Sequence, residues 1–176
     1  MPESKTDTRH LKRLEHAVLL AVILLLIAAA GYRVGGVMGD AERVAFEVSV
    51  NNLRAAVGLE VARRLSHEGG FDSLTDMMGA NPMAYAAPPH NYLGETSLED
   101  PNLLQPGSWS YHSLDRVLIY RVGRESGFKG DLMYPPRVRF RIEPRYDDND
   151  GDGRYDPHID LLRAIRLKAL DDYSWR

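Results

Sequence analysis

Fifteen consecutive residues near the N-terminus, Ala17 to Gly31 (AVLLAVILLLIAAAG), carry no charge and no side-chain hydrogen-bonding group. A soluble chain has no reason to keep such a stretch ahead of a more polar remainder, and Lys5, Arg9, Lys12 and Arg13 stand just before it. At 1.5 Å per residue the run reaches about 22 Å, against a hydrocarbon core of roughly 30 Å. Extension through Tyr32 to Met38, with Arg33 snorkelling to the interface, brings it to full span. This reading predicts a single pass through the inner membrane. Residues 1–16 are then a cytoplasmic segment, 17–39 the crossing helix, and the rest lies on the far side by the positive-inside bias. The same run also reads as a removable signal, with a basic start, an apolar stretch and Ala28-Ala29-Ala30 as the cleavage pattern. Glu15 and His16 abutting the run, and a helical pattern continuing beyond it, favour the retained helix.

Beyond residue 39 about 137 residues remain, enough for one small domain with its own core. The formal net charge is −3 and no basic stripe interleaves with aromatics, so nucleic acid is not an expected partner. Cysteine is absent, which excludes disulfides, thiolate zinc sites and iron–sulfur clusters.

Residues 40–67 carry the pattern of an amphipathic helix. Asp40 can cap it and Glu42 suits its first turn. Phe46, Val50, Leu53, Val57, Val61 and Leu65 recur at spacings of four and three, which puts them on one face, expected to cover the core of the same domain. Ser66 to Gly70 ends the helix. Residues 68–107 read as a loop-rich connection, with Phe71–Gly79 a short second helix and prolines at 82, 88, 89, 101 and 106 as turn signals. An antiparallel sheet is expected over 108–176. Ser108–Tyr111 and Val117–Val122 form a hairpin, and Val138–Glu143 alternates apolar and charged with period two. Leu161–Leu170 fits a strand or a helix, and the neighbouring strand favours the first. Tyr85, Tyr92, Trp109, Tyr111 and Tyr120 are expected to pack the sheet against the helix; Trp175 either closes the core or stays exposed.

The fold class expected is therefore α+β: a long N-terminal helix, half transmembrane and half amphipathic, packed on a small antiparallel sheet. That order of parts resembles the type IV pilins and type II secretion pseudopilins. A more specific likeness lies in Asn81-Pro82-Met83, Pro88-Pro89-x-Asn91-Tyr92-Leu93-Gly94-Glu95, Pro106-Gly107-Ser108-Trp109, Leu118–Val122 and Arg137–Arg141. These segments are similar to pilin-like proteins of mannose-sensitive haemagglutinin pilus systems. The resemblance implies a minor or accessory structural subunit that assembles through its N-terminal helix with other pilin or pseudopilin subunits, apolar halves bundled inside and sheets tiling the surface. It also implies a glutamate five residues into the mature chain, neutralising a neighbour's N-terminal amine. Glu15 takes that place if the mature chain begins at Leu11, although His10 and Leu11 stand where the family has glycine and then phenylalanine or methionine. The ordinary alternative for Glu15 is a solvated residue or a partner of Lys12.

One constellation carries site chemistry. Asp148-Asn149-Asp150-Gly151-Asp152-Gly153-Arg154-Tyr155-Asp156, within the acidic loop 147–160, sets carboxylates at loop positions 1, 3, 5 and 9 and glycine at 6. This resembles a calcium loop, in which the carbonyl at position 7, here Arg154, also coordinates. Position 12 is Ile159, and the next carboxylate is Asp160. The expected ligands are Asp148, Asp150, Asp152, Arg154, Asp156 and Asp160, with calcium the cation; the alternative is a solvated acidic turn. A secreted or membrane-anchored calcium-dependent binding module is accordingly the second functional reading. Enzyme chemistry finds no support: G-x-S-x-G, H-E-x-x-H and a phosphate-binding glycine loop are all missing, and His67, His90, His112 and His158 lack ligand spacing.

Overall fold

The computed structural model describes the backbone of residues 5–67, 71–97, 100–124 and 127–175, and their side chains except at 5–13, 30, 32–38, 67, 71–73 and 101. Helix α1 (Lys5–His67) is followed by β1 (Tyr92–Thr96), β2 (Ser108–His112), β3 (Val117–Arg121), β4 (Phe128–Gly130), β5 (Arg137–Asp147), β6 (Leu161–Ala169) and β7 (Tyr173–Trp175). Two compact units divide the chain, Met1–Asp40 and Ala41–Arg176, and α1 contributes to both.

In the first unit every described side chain from 14 to 29 is exposed. Ten large apolar residues between Leu14 and Ile27 have 45% to 69% of their surface in contact with solvent. No helix among the described residues is long and apolar enough to cross a membrane. That finding overturns the expected single pass through the inner membrane. The described stretch 14–29 reaches about 24 Å, short of the roughly 30 Å needed, and opens on Glu15 and His16. Tyr32 to Met38, on which a full span depended, lies outside the described side chains, as do residues 1–13 of the expected cytoplasmic segment.

In the second unit α1 does not start at Asp40; the helix passes through it. Phe46, Val50, Leu53 and Val57 are buried, Val61 is partly so, and Leu65 is largely exposed, so the apolar stripe does its packing in its first four positions. Phe46 stacks on Trp109 at 5.5 Å between ring centroids, and lies 4.9 Å from Tyr120, 5.4 Å from Trp175 and 5.6 Å from Tyr173. Such offset and edge-on contacts stabilise beyond the area they bury. Gly58 lies between these buried turns and the helix end, where glycine costs roughly 1 kcal/mol relative to alanine.

The sheet corrects the remainder of the expected fold. It has five strands in the order β1-β2-β3-β5-β6, and it is mixed: β1 runs parallel to β2, the other pairs being antiparallel. A second sheet of two strands pairs β4 with β7. A membrane-crossing helix laid on a small antiparallel sheet is thus not the fold of this chain. The described residues 100–107, including a 3₁₀ turn at Pro101–Leu103, lead into β2, which starts alongside β1 and runs in the same direction. Every residue of β2 is buried, because it is covered on both faces. Trp109 and Tyr111 join the large core, while Leu104, Val117 and Ile119 form a small second core with Leu170. The expected second helix at 71–79 is a 3₁₀ segment, Phe71–Met77.

Loop segments are tied to the sheet by directed bonds. Gly79 adopts φ +68°, its N–H donates to the Ile142 carbonyl at 2.9 Å, and its carbonyl accepts from the Tyr111 hydroxyl at 2.5 Å. Asn81 accepts from the Met83 N–H and donates to the Tyr92 hydroxyl at 2.8 Å.

Candidate metal centre

β5 and β6 form the longest antiparallel pair, and the acidic loop connects them. Arg163 closes its base with an ion pair to Asp147, which holds the Asp147 carboxyl below its ordinary value. Asp160 is buried at the other end of the loop. Its carboxylate accepts from the Asn149 N–H at 2.9 Å and the Asp156 N–H at 2.8 Å, and its own N–H donates to the Asp156 carbonyl at 2.8 Å. Asn149 adds a side-chain bond to the Ile159 carbonyl at 2.7 Å. Asp160 therefore laces the two halves of the loop together.

The tip is built from carboxylates turned back on their own backbone. Asp148 accepts from the Gly151 N–H at 2.7 Å and the Gly153 N–H at 2.9 Å. Both glycines have positive φ, +76° and +75°, which a β-carbon would strain. Asp152 accepts from the Arg154 N–H at 2.7 Å, and Asp156 from the His158 N–H at 2.8 Å. The bonds from Gly153 and Gly151 hold the Asp148 carboxyl below its ordinary value. At Asp150 the bond from the Asp152 N–H pulls downward, but desolvation and the neighbouring carboxylates prevail and push the group up. The tip is thus crowded with like charge.

Asp148, Asp150 and Asp152 are exposed and each offers an oxygen within 4.8 Å of the others. Calcium binds oxygens at about 2.3–2.6 Å, so ligands across one ion stand at most about 5 Å apart, and this spacing suits a shared cation. Each carboxylate oxygen has two lone pairs and can keep its N–H bond while ligating. Asp156 and Asp160 are not in that group; their bonds brace the second half of the loop. Arg154 is exposed beside the tip. Glu15 lies far away in sequence, exposed on α1 among Leu14, Val18 and Leu19 in the first unit.

Of the histidines, His112 is buried in β2, with Nδ1 3.0 Å from an Asp115 oxygen, while His90 and His158 are exposed. Sequence reasoning missed Glu42 as an anchoring group. Its carboxylate accepts from the Tyr120 hydroxyl at 2.8 Å and the N–H groups of Gly123 at 2.7 Å and Arg124 at 2.9 Å. Burial, and then the bond to Glu42, push the Tyr120 hydroxyl far above its ordinary pKa. No family model matches the chain, and no curated protein or solved structure does either.

Proposed function

We propose that this chain is a non-enzymatic structural subunit of a pilus- or pseudopilus-type filament, minor or accessory in role, which assembles through the apolar stretch of α1. One observation carries the reading: the exposed apolar residues between Leu14 and Ile27 surround the helix, and no described side chain there is buried. Apolar surface of this extent marks an interaction site. Helices of other subunits with the same character, its own copies included, would cover it. The absence of cysteine makes a direct test available, since one introduced thiol has no competitor. Leu24→Cys in the full chain should form disulfide-linked dimers on mild oxidation, whereas Leu114→Cys, more exposed still in the turn between β2 and β3, should not. Leu24→Asp with Leu25→Asp should leave a monomer by light scattering. A wild-type chain that stays monomeric in dilute detergent, together with a Leu24→Cys variant that forms no disulfide-linked dimer on oxidation, overturns the reading.

The convergence of Asp148, Asp150 and Asp152 favours a second reading, a calcium-dependent binding module. Calcium bound only by the native state raises stability by RT ln(1 + [L]/Kd), about 1.4 kcal/mol at ten times Kd. The melting temperature should rise in millimolar calcium over chelator, and Asp150→Ala should remove the difference. Equal melting temperatures leave an acidic turn.

A further inference from the structure

The five-stranded sheet ends on β6, and no backbone group of the described chain pairs with that strand's outer side. The ladder fixes which groups are free. Pro144 has no N–H and stands opposite Ile165, while the Leu170 N–H donates to the Arg139 carbonyl at 2.8 Å. Hydrogen-bonded and non-bonded pairs alternate in an antiparallel ladder, so the N–H and C=O groups of Ile165, Leu167 and Ala169 point away from β5. A groove of about 400 Å³ lies along this strand. Ile165 and Leu167 from the core face, Arg166 and Lys168 from the opposite face, and Arg54 and Gly58 of α1 all line it. Consecutive residues of both faces border it, as they do where a groove follows the free edge of a strand.

Two further observations define what fits. The groove is basic: Arg54 and Arg166 have no ion-pair partner among the described residues, and Lys168 shares Glu143 with Arg141. Gly58 also borders it, inside a helix where glycine is costly. A β-carbon at Gly58 would meet nothing within 4 Å, so no packing inside the described chain requires glycine there. Edge strands carry lysine simply to discourage pairing, but a merely protected edge gains nothing from a gap beside it.

We infer that the outer edge of β6 accepts an extended acidic segment of a partner protein as a sixth strand. Main-chain bonds to Ile165, Leu167 and Ala169 supply the pairing, and carboxylates on the added strand meet Arg54, Arg166 and Lys168. The inference is independent of the filament reading, which concerns the first unit.

The test uses the full chain in mild detergent and a fluorescent, end-blocked octapeptide of alternating glutamate and valine. Binding should slow amide exchange within 161–169. Gly58→Ala should bind as the wild type does, and Gly58→Trp should abolish binding while keeping the wild-type circular dichroism. Arg166→Glu, at an exposed side chain, should weaken binding by about tenfold or more. Alternating lysine–valine and glutamate–proline peptides, one wrong in charge and the other lacking half its N–H groups, should not bind. No binding of the glutamate–valine peptide, equal binding of the glutamate–proline peptide, or unchanged exchange over 161–169 in the bound state overturns the inference. So does protection of 161–169 that appears without peptide and grows with protein concentration, which would give the edge to a second copy.

Discussion

Single side chains hold the second unit at points that local pattern does not reveal. Glu42 reads in sequence as an acidic residue suited to a helix start, yet α1 runs through it and its carboxylate collects three donors from the end of β3 and the loop that follows. Those partners lie 78 to 82 residues away, a separation no periodicity encodes. Glu42→Ala leaves the Tyr120 hydroxyl and two N–H groups to find water, and it should cost about 1–3 kcal/mol in urea unfolding. Glu60 gives a pH-dependent counterpart. Hydrogen bonds from Arg63 and then Arg64 lower its pKa from 4.5 to about 2. A depressed carboxyl contributes its stability above the unfolded value and loses it as pH falls through the folded one. The window is therefore from about 4.5 down to about 2, and the size about 0.5–1 kcal/mol for pairs on a helix surface. Glu60→Gln should flatten this part of the melting-temperature profile against pH. The acidic tip differs, because three of its aspartates were visible in the spacing alone. The lacing role of Asp160 was not, since it depends on the loop folding back to place Asn149 and Asp156 beside it.

Elements were legible where period and burial agree. β5 buries Val138, Phe140 and Ile142 on one face as its alternation requires, and the ambiguous stretch at 161–169 is a strand because β5 offers it a long partner. β1 was unreadable: it is a five-residue edge strand with Gly94 at φ +93° and an irregular register, inside a segment rich in proline. β4 and β7, three residues each, exist only as each other's partner, and neither has room for a pattern. The stripe on α1 tests how the elements depend on one another. Leu53 is 2% exposed within the same cluster as Trp109 and Phe140. Leu53→Ala should lose about 2–5 kcal/mol, the usual cost of a cavity at a buried leucine. A loss near zero in a monomeric sample would move the stripe to an interface between chains.

At the scale of the whole molecule, the two units differ in what covers their apolar surface. Every residue of the large core, from Phe46 to Leu167, belongs to residues 41–176, as do the aromatic cluster and the loops that Glu42 and Asn81 tie down. The exposed apolar side chains from Leu14 to Ile27 belong entirely to the other unit. Among the described residues no core side chain precedes Ala41, and the second unit's size is ample for a single cooperative core. A chain beginning at Ala41 shortens α1 but keeps Glu42, Phe46 and the turns that bury Val50, Leu53 and Val57. It should unfold in one transition, with fluorescence of Trp109 and Trp175 and backbone ellipticity changing together, because both tryptophans contact Phe46 in the same cluster. Self-association should be lost in the same step, since the surface proposed to drive it has been removed. Non-coincident transitions, or a truncated chain with fluctuating aromatic packing, would mean that residues before Ala41 contribute to the core after all. Persistent oligomers of a well-folded truncated chain would instead place the assembly surface within residues 41–176.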